Sequence, residues 1–263
     1  MSETYRFNDG AAYEQMMGIW SRLVGDIFLD WLAPRPGLDW LDIGCGNGVI
    51  TEAILQSCDA ASLRAIDPSE GQLAYARTRP GTQGAQFHQG DAMALPFEDT
   101  SADIAIMALV LFFVPDPARG VAEMVRVVRP GGTVAAYLWD FAAGGFPLEP
   151  IMSELRALGF NSPQPPSVGV SRMEALLAQW QMAGLEAIET KVITVERRFP
   201  DFETFWTMTT QASMLKSVIL DRMNETDRAA FKQRIAAKLP ASPDGSIAYS
   251  SHANAIKGVV PQA

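Results

Sequence analysis

Two cysteines and two histidines are all that the 263 residues contain of the side chains most used for metal and redox chemistry. Cys45 and Cys58 have no further ligands at metal-binding spacing, so neither a disulfide framework nor a zinc site is expected. Free thiols suit a reducing compartment. Cys45 lies among glycines, where a small side chain is the simpler reading than a nucleophile. Positive charge is also short, with 21 Lys and Arg against 30 Asp and Glu and a net charge of -9. That balance opposes a phosphate backbone, and general nucleic-acid binding would need a local basic patch. Arg197-Arg198 is the adjacent basic pair, and it reads as a solvated strand end. Long apolar runs are missing as well. The longest, residues 104–114, falls short of the roughly 20 residues of a membrane-spanning helix and reads as a buried strand running into a loop. Residues 1–6 have neither the basic start nor the apolar core of a secretion signal, so a cytoplasmic location is expected.

What is present is enough apolar sequence to build a core. The chain is 48% hydrophobic and 19% charged, an ordinary globular balance, and is long enough for one large domain with insertions. From residue 38, short β-rich runs alternate with helical segments, the pattern of a parallel sheet covered on both faces. The candidate strands are 38–43, 62–66, 85–88, 104–108 and 133–139. Ser69-Glu70-Gly71-Gln72 has capping-box spacing, and Asp116-Pro117 places an N-cap before a proline suited to the first helical turn. Arg129-Pro130-Gly131-Gly132 ends that second helix and turns into the next strand. A further capping box, Ser171-Arg172-Met173-Glu174, is expected to open a helix to about Met182. Residues 192–195 have strand character, residues 201–239 are mostly helical, and residues 246–260 are expected to supply a final edge strand.

Chemistry concentrates in Trp40-Leu41-Asp42-Ile43-Gly44-Cys45-Gly46-Asn47-Gly48. The glycines occupy a strand-to-helix turn, where they permit positive φ and let a ligand approach the backbone. The amides and dipole of the following helix favour an anionic group. Asp67 ends the second strand, where a carboxylate can accept both hydroxyls of a ribose. The dinucleotide fingerprint needs a third small residue, but Val49 stands there. Asp42, two positions before Gly44, also suits a cationic ligand group such as an ammonium better than a dinucleotide.

With Gly90-Asp91-Ala92, Leu95-Pro96-Phe97, Asp103 and Arg129-Pro130-Gly131-Gly132, these blocks resemble class I S-adenosylmethionine (SAM)-dependent methyltransferases, in the broad group similar to the ubiquinone and menaquinone biosynthesis enzymes. The resemblance covers about residues 38–140. It implies a Rossmann-like α/β fold with a mostly parallel seven-stranded sheet, helices on both faces and helical insertions. It also implies that the backbone of Gly44, Cys45 and Gly46 meets the methionine part of SAM with Asp42 nearby. Asp67 would take the ribose hydroxyls, Pro68 would pack on the adenine, Asp91 would accept from its amino group, and the Ala92 amide would meet the ring. Ala108 and Leu109 would border the methionine end.

Three regions follow: a helical cap segment at residues 1–37, a SAM-binding core at 38–140, and a remainder at 141–263 with substrate-covering insertions at 141–170 and 201–239. Residues 13–22 are expected to fold over the cofactor or join the core. Trp139, Phe141, Phe146, Phe202, Phe205 and Trp206 are candidates for an apolar acceptor site or for buried packing of the covering insertions. Many relatives carry histidine after the fourth strand, whereas this chain has Phe112-Phe113-Val114, so no base is transferred there. His88 reads as structural, His252 has only slightly more interest, and the catalytic residues stay unassigned. The expected activity is methyl transfer to an unidentified small molecule. The alternatives are a nicotinamide-dependent oxidoreductase and a SAM-binding module without catalysis. No membrane span is expected, and the sequence does not fix the oligomeric state.

Overall fold

Seven strands form one sheet in the order β3-β2-β1-β4-β5-β7-β6. The computed structural model describes residues 17–160, 164–210, 215, 219, 221–239 and 241–262. The strands are β1 (Asp39–Ile43), β2 (Ser62–Asp67), β3 (Ala85–Gln89), β4 (Ala102–Ala108), β5 (Val128–Trp139), β6 (Glu186–Phe199) and β7 (Ile247–Val259). The first five run parallel to one another, whereas β7 is antiparallel to both β5 and β6. The order reverses between β1 and β4, which is where an open α/β sheet leaves a crevice beyond its strand ends.

The helices are α1 (Ile19–Leu32), α2 (Val49–Ser57), α3 (Glu70–Thr78), α4 (Pro117–Val127), α5 (Glu149–Ala157), α6 (Met173–Met182), α7 (Phe202–Thr210) and α8 (Glu225–Lys238). Two expected caps form: the Ser69 side chain accepts from the Gln72 amide, and Asp116 accepts from the Arg119 amide. Trp20, Val24 and Phe28 of α1 are buried, and the Phe28 ring lies 4.8 Å from that of Tyr137 on β5. This helix is therefore part of the core. The expectation for residues 13–16 falls outside the described residues. On the opposite face, Trp180 of α6 donates from Nε1 to the Val134 carbonyl.

Three expectations are corrected. Residues 246–260 do form a strand, but β7 lies inside the sheet and β6 is the edge. Small residues hid this: Ser251, Ala253, Asn254, Ala255 and Ile256 of β7 are all buried, while β6 alternates buried and exposed positions from Val192 to Phe199. Arg197 is not a solvated strand end; it is buried, with its guanidinium 4.5 Å from the Phe199 ring. Burial lowers its pKa. Finally, Ser171 caps no helix. Its hydroxyl donates to the Val168 carbonyl in a short 3-10 turn, and Arg172 holds the N-cap position of α6 without a side-chain bond.

Candidate functional site

The glycine loop joins β1 to α2 with Gly44, Gly46 and Gly48 all at positive φ. The Gly44 and Cys45 amides both donate to the Ile66 carbonyl, at 2.7 and 3.1 Å, which fixes the loop against β2. The two central glycines do different work. A Cβ at Gly44 would lie 2.5 Å from both γ-methyls of Val110, so the loop is pressed there by the chain leaving β4. A Cβ at Gly46 would meet nothing within 4 Å, so the backbone there faces open space.

Asp67 is the loop's acidic counterpart. One carboxylate oxygen accepts the Gly46 amide at 2.9 Å and the other accepts the Ser69 amide at 2.8 Å. Burial raises its pKa, and the two amide bonds hold the rise in check. Each carboxylate oxygen can accept more than one bond, so both keep capacity for a ligand hydroxyl. Asp42 is fully buried, and Oδ2 accepts from Thr51 Oγ1 at 2.6 Å. Its Oδ1 is also shut from solvent and has no partner. Desolvation raises this carboxyl to about 7, the Thr51 bond opposes the rise and the Asp67 charge adds to it. Burial likewise pushes the Cys45 thiol well above its ordinary value, in keeping with a small packing side chain rather than an activated thiolate.

The remaining predicted residues flank this centre. Pro68 is exposed beside Asp67. Asp91 is exposed in a turn in which Oδ1 accepts from the Met93 amide at 2.8 Å, and Ala92 is half-buried beside it. Ala108 ends β4, and Leu109 follows in the left-handed region at φ 62°, its amide donating to the Tyr137 carbonyl at 2.8 Å. A leucine in that conformation is uncommon and strained. All ten predicted residues thus stand in or just beyond the carboxyl ends of β1, β2, β3 and β4. The sequence reading missed Thr51, which could have been suspected from its place in the first turn of α2, and Val110, for which no local signal exists.

The predicted aromatic group divides in two. Phe141 and Phe146 stack at 4.8 Å, and Phe141 meets Phe112 edge-on at 5.2 Å, beside the end of β4. Phe202, Phe205 and Trp206 instead form a second cluster, Phe205 lying 5.3 Å from Phe199 of β6 and 5.7 Å from Tyr249 of β7, and Trp206 6.0 Å from Phe231 of α8. Two motif residues also leave the site. Arg129 pairs with Asp103 at 2.5 Å and Asp39 at 3.1 Å, forming a clamp at the amino ends of the strands. Serine and arginine bonds from Ser62 and Arg129 hold the Asp39 carboxyl below its usual range. A cavity of about 410 Å³ lies beside this clamp, lined by Asp103, Arg129 and Gln262, at the end of the sheet away from the glycine loop. Among the described residues no cluster suits a metal ion, and no helix is long and apolar enough to cross a membrane.

The strand order, the β1 loop and the acid at the end of β2 give the chain the Rossmann-like fold of class I methyltransferases. Comparison with known proteins places residues 41–136 as a match to the methyltransferase domain family. The ubiquinone/menaquinone biosynthesis C-methyltransferase UbiE of Cereibacter sphaeroides is 30% identical over 158 residues, covering 54% of this chain and 62% of that protein. The match thus spans about six-tenths of this curated relative. Among solved structures, YcgJ of Bacillus subtilis superposes with a TM-score of 0.60 at 20% identity, covering 91% of this chain and 99% of that one. Phosphoethanolamine N-methyltransferase 2 of Haemonchus contortus, in complex with SAM, gives 0.60 at 19% identity, covering 99% and 58%. These likenesses are of fold.

Proposed function

We propose that the chain is a cytoplasmic enzyme that transfers the SAM methyl group to a small molecule, with residues 38–140 holding the cofactor and residues 141–170 and 201–239 covering the acceptor. The observation that carries this is the unpartnered, buried Oδ1 of Asp42 beneath a glycine loop whose Gly46 faces open space. An orphaned carboxylate oxygen in a core is unfavourable unless something completes it, and an ammonium group, met directly or through water, does so. A nicotinamide dinucleotide offers no such group to this position.

The residues fit SAM part by part. The Gly44, Cys45 and Gly46 backbone and Asp42 would hold the methionine portion, with Ala108 and Leu109 at its border. Asp67 would accept the ribose hydroxyls, the exposed Pro68 would pack on the adenine, and Asp91 with the Ala92 amide would read its edge. When bound, SAM supplies an electrophilic methyl on a good leaving group. The protein's share is then alignment of the acceptor in line with that methyl, which can supply much of the acceleration without a dedicated base. Phe112, Phe113 and Phe141 offer an apolar, water-excluding wall for that task. The net charge of -9 and the burial of Arg197 favour a small acceptor over a nucleic acid.

Turnover tests the reading. Purified protein given SAM with a radiolabelled methyl group and a panel of small phenols, amines, thiols and activated carbon acids should label one class. Labelling of none, with SAM bound, would make the chain a binding module; binding of NAD in place of SAM would overturn the assignment.

A further inference from the structure

Resting on that reading, we infer that Val110 is a specificity-determining residue, the partition that limits the size of the alkyl group the donor sulfonium can carry. Three features of the backbone put it there. Gly44 has no Cβ, and both γ-methyls of Val110 occupy the space one would fill. Leu109 takes the strained left-handed conformation while its amide keeps the bond to the Tyr137 carbonyl, so the chain turns sharply at the end of β4 without losing its pairing to β5. The Val110 carbonyl then accepts the Phe113 amide at 2.7 Å, starting the 3-10 turn Leu111–Phe113 that carries Phe112 toward Phe141. Val110 thus packs on the glycine loop at Gly44 and, half-buried, leads directly into the turn that carries Phe112 toward Phe141.

A β-branched side chain suits a partition because its χ1 is stiff and both methyls are fixed together. The strain at Leu109 is consistent with a residue whose position matters more than its comfort. Gly46, by contrast, has no such neighbour, so the restriction falls at the Gly44 end of the loop alone. That is the end bordered by Ala108 and Leu109, where the sulfonium belongs.

Calorimetric titration of SAM and of S-adenosylethionine, which carries one extra methylene on sulfur, tests this without knowledge of the acceptor. The wild-type protein should prefer SAM by roughly 10- to 200-fold, the range for one methylene in a shaped apolar pocket. Val110→Ala should reduce that preference to within about threefold, and Val110→Thr, which keeps the branched shape, should retain it. A ratio that is unchanged in Val110→Ala, or a wild-type protein that binds both donors equally, would overturn the inference. Thermal melting alongside identifies a variant that fails to fold, in which case Val110→Thr and the wild-type ratio still decide. If neither donor binds the wild-type protein, it is the methyltransferase reading that fails.

Discussion

Residues 38–140 and the C-terminal cap formed by α5, α7 and α8 are built on different principles. Residues 38–140 present short turns whose geometry is set by backbone amides: Gly44 and Cys45 donate to the Ile66 carbonyl, Leu109 to the Tyr137 carbonyl, and Gly46 and Ser69 to the Asp67 carboxylate. The cap is held by side chains. Glu154 of α5, nearly buried, pairs with Arg234 at 2.8 Å and Lys238 at 2.7 Å, both from α8, and these partners hold its carboxyl below the usual range. Tyr249 donates to the Pro147 carbonyl at 2.7 Å, and Trp206 fills the space between α7 and α8. If the proposed function holds, a ligand common to a whole class of enzymes would be met by backbone, and the part that differs among them would be a packed, replaceable cover.

The comparison breaks first at its most crowded glycine. Gly44→Ala forces a Cβ into Val110 at a φ that alanine avoids, so urea unfolding should show a loss of roughly 2–5 kcal/mol. Gly46→Ala has open space around it and should leave the fold within roughly 2 kcal/mol of wild type while abolishing measurable SAM binding. Equal damage to stability from both would erase the distinction between the pressed and the open glycine.

The cap answers next. Trp206→Ala removes a buried ring packed on Phe202 and Phe231 and should lower stability by about 3–5 kcal/mol in a thermal melt. SAM affinity should hardly move in calorimetry. A normal melt with lost turnover would instead place Trp206 at the acceptor.

The third effect depends on pH. The folded Asp42 carboxyl, at about 7, stands above its unfolded value of 3.8, so the folded state holds the proton longer. The stability from that carboxyl is fully present below about pH 4 and is lost as pH rises through 7. Asp42→Asn should therefore be more stable than wild type at pH 8, by on the order of a few kcal/mol, with the gap shrinking toward pH 4. Wild-type affinity for SAM should rise through pH 7 as the carboxylate forms to meet an ammonium, and the variant should lack that rise.

Asp91→Asn should have the smallest consequence, since Asp91 is exposed and bonds only locally through Oδ1. Calorimetry should register a fall in SAM affinity of roughly fivefold, the value of about one hydrogen bond, with unchanged melting. A matched loss for an analogue without the adenine amino group would show that Asp91 does not read it.

Legibility from sequence follows the same division. The loop, Asp67 and the Ser69 and Asp116 caps were readable because each is a local arrangement, complete within a few residues. The position of β7 was not, since its small residues conceal a strand buried on both faces and its β5 partner lies over a hundred residues away. Ser171 has the spacing of a capping box, yet a preceding 3-10 turn takes its hydroxyl, and Asn254 donates to its carbonyl from β7. Val110 was hidden for a related reason: its role comes from a contact with Gly44 across two strands, and a valine after a strand is otherwise ordinary. Even Arg129 and Asp103, which belong to the family's blocks, turned out to serve the amino-end clamp rather than the crevice.

The central claim is that the crevice at the end of β1 and β2 is built for SAM. Calorimetric titration of the wild-type protein and of Asp67→Ala with SAM and with NAD tests it most directly. SAM should bind the wild-type chain at one site, and Asp67→Ala should weaken it roughly 10- to 150-fold, the equivalent of about 1.5–3 kcal/mol for bonds to a charged acceptor. NAD should bind neither. Tight binding of NAD to the wild-type chain, or a SAM affinity indifferent to Asp67, would contradict the account.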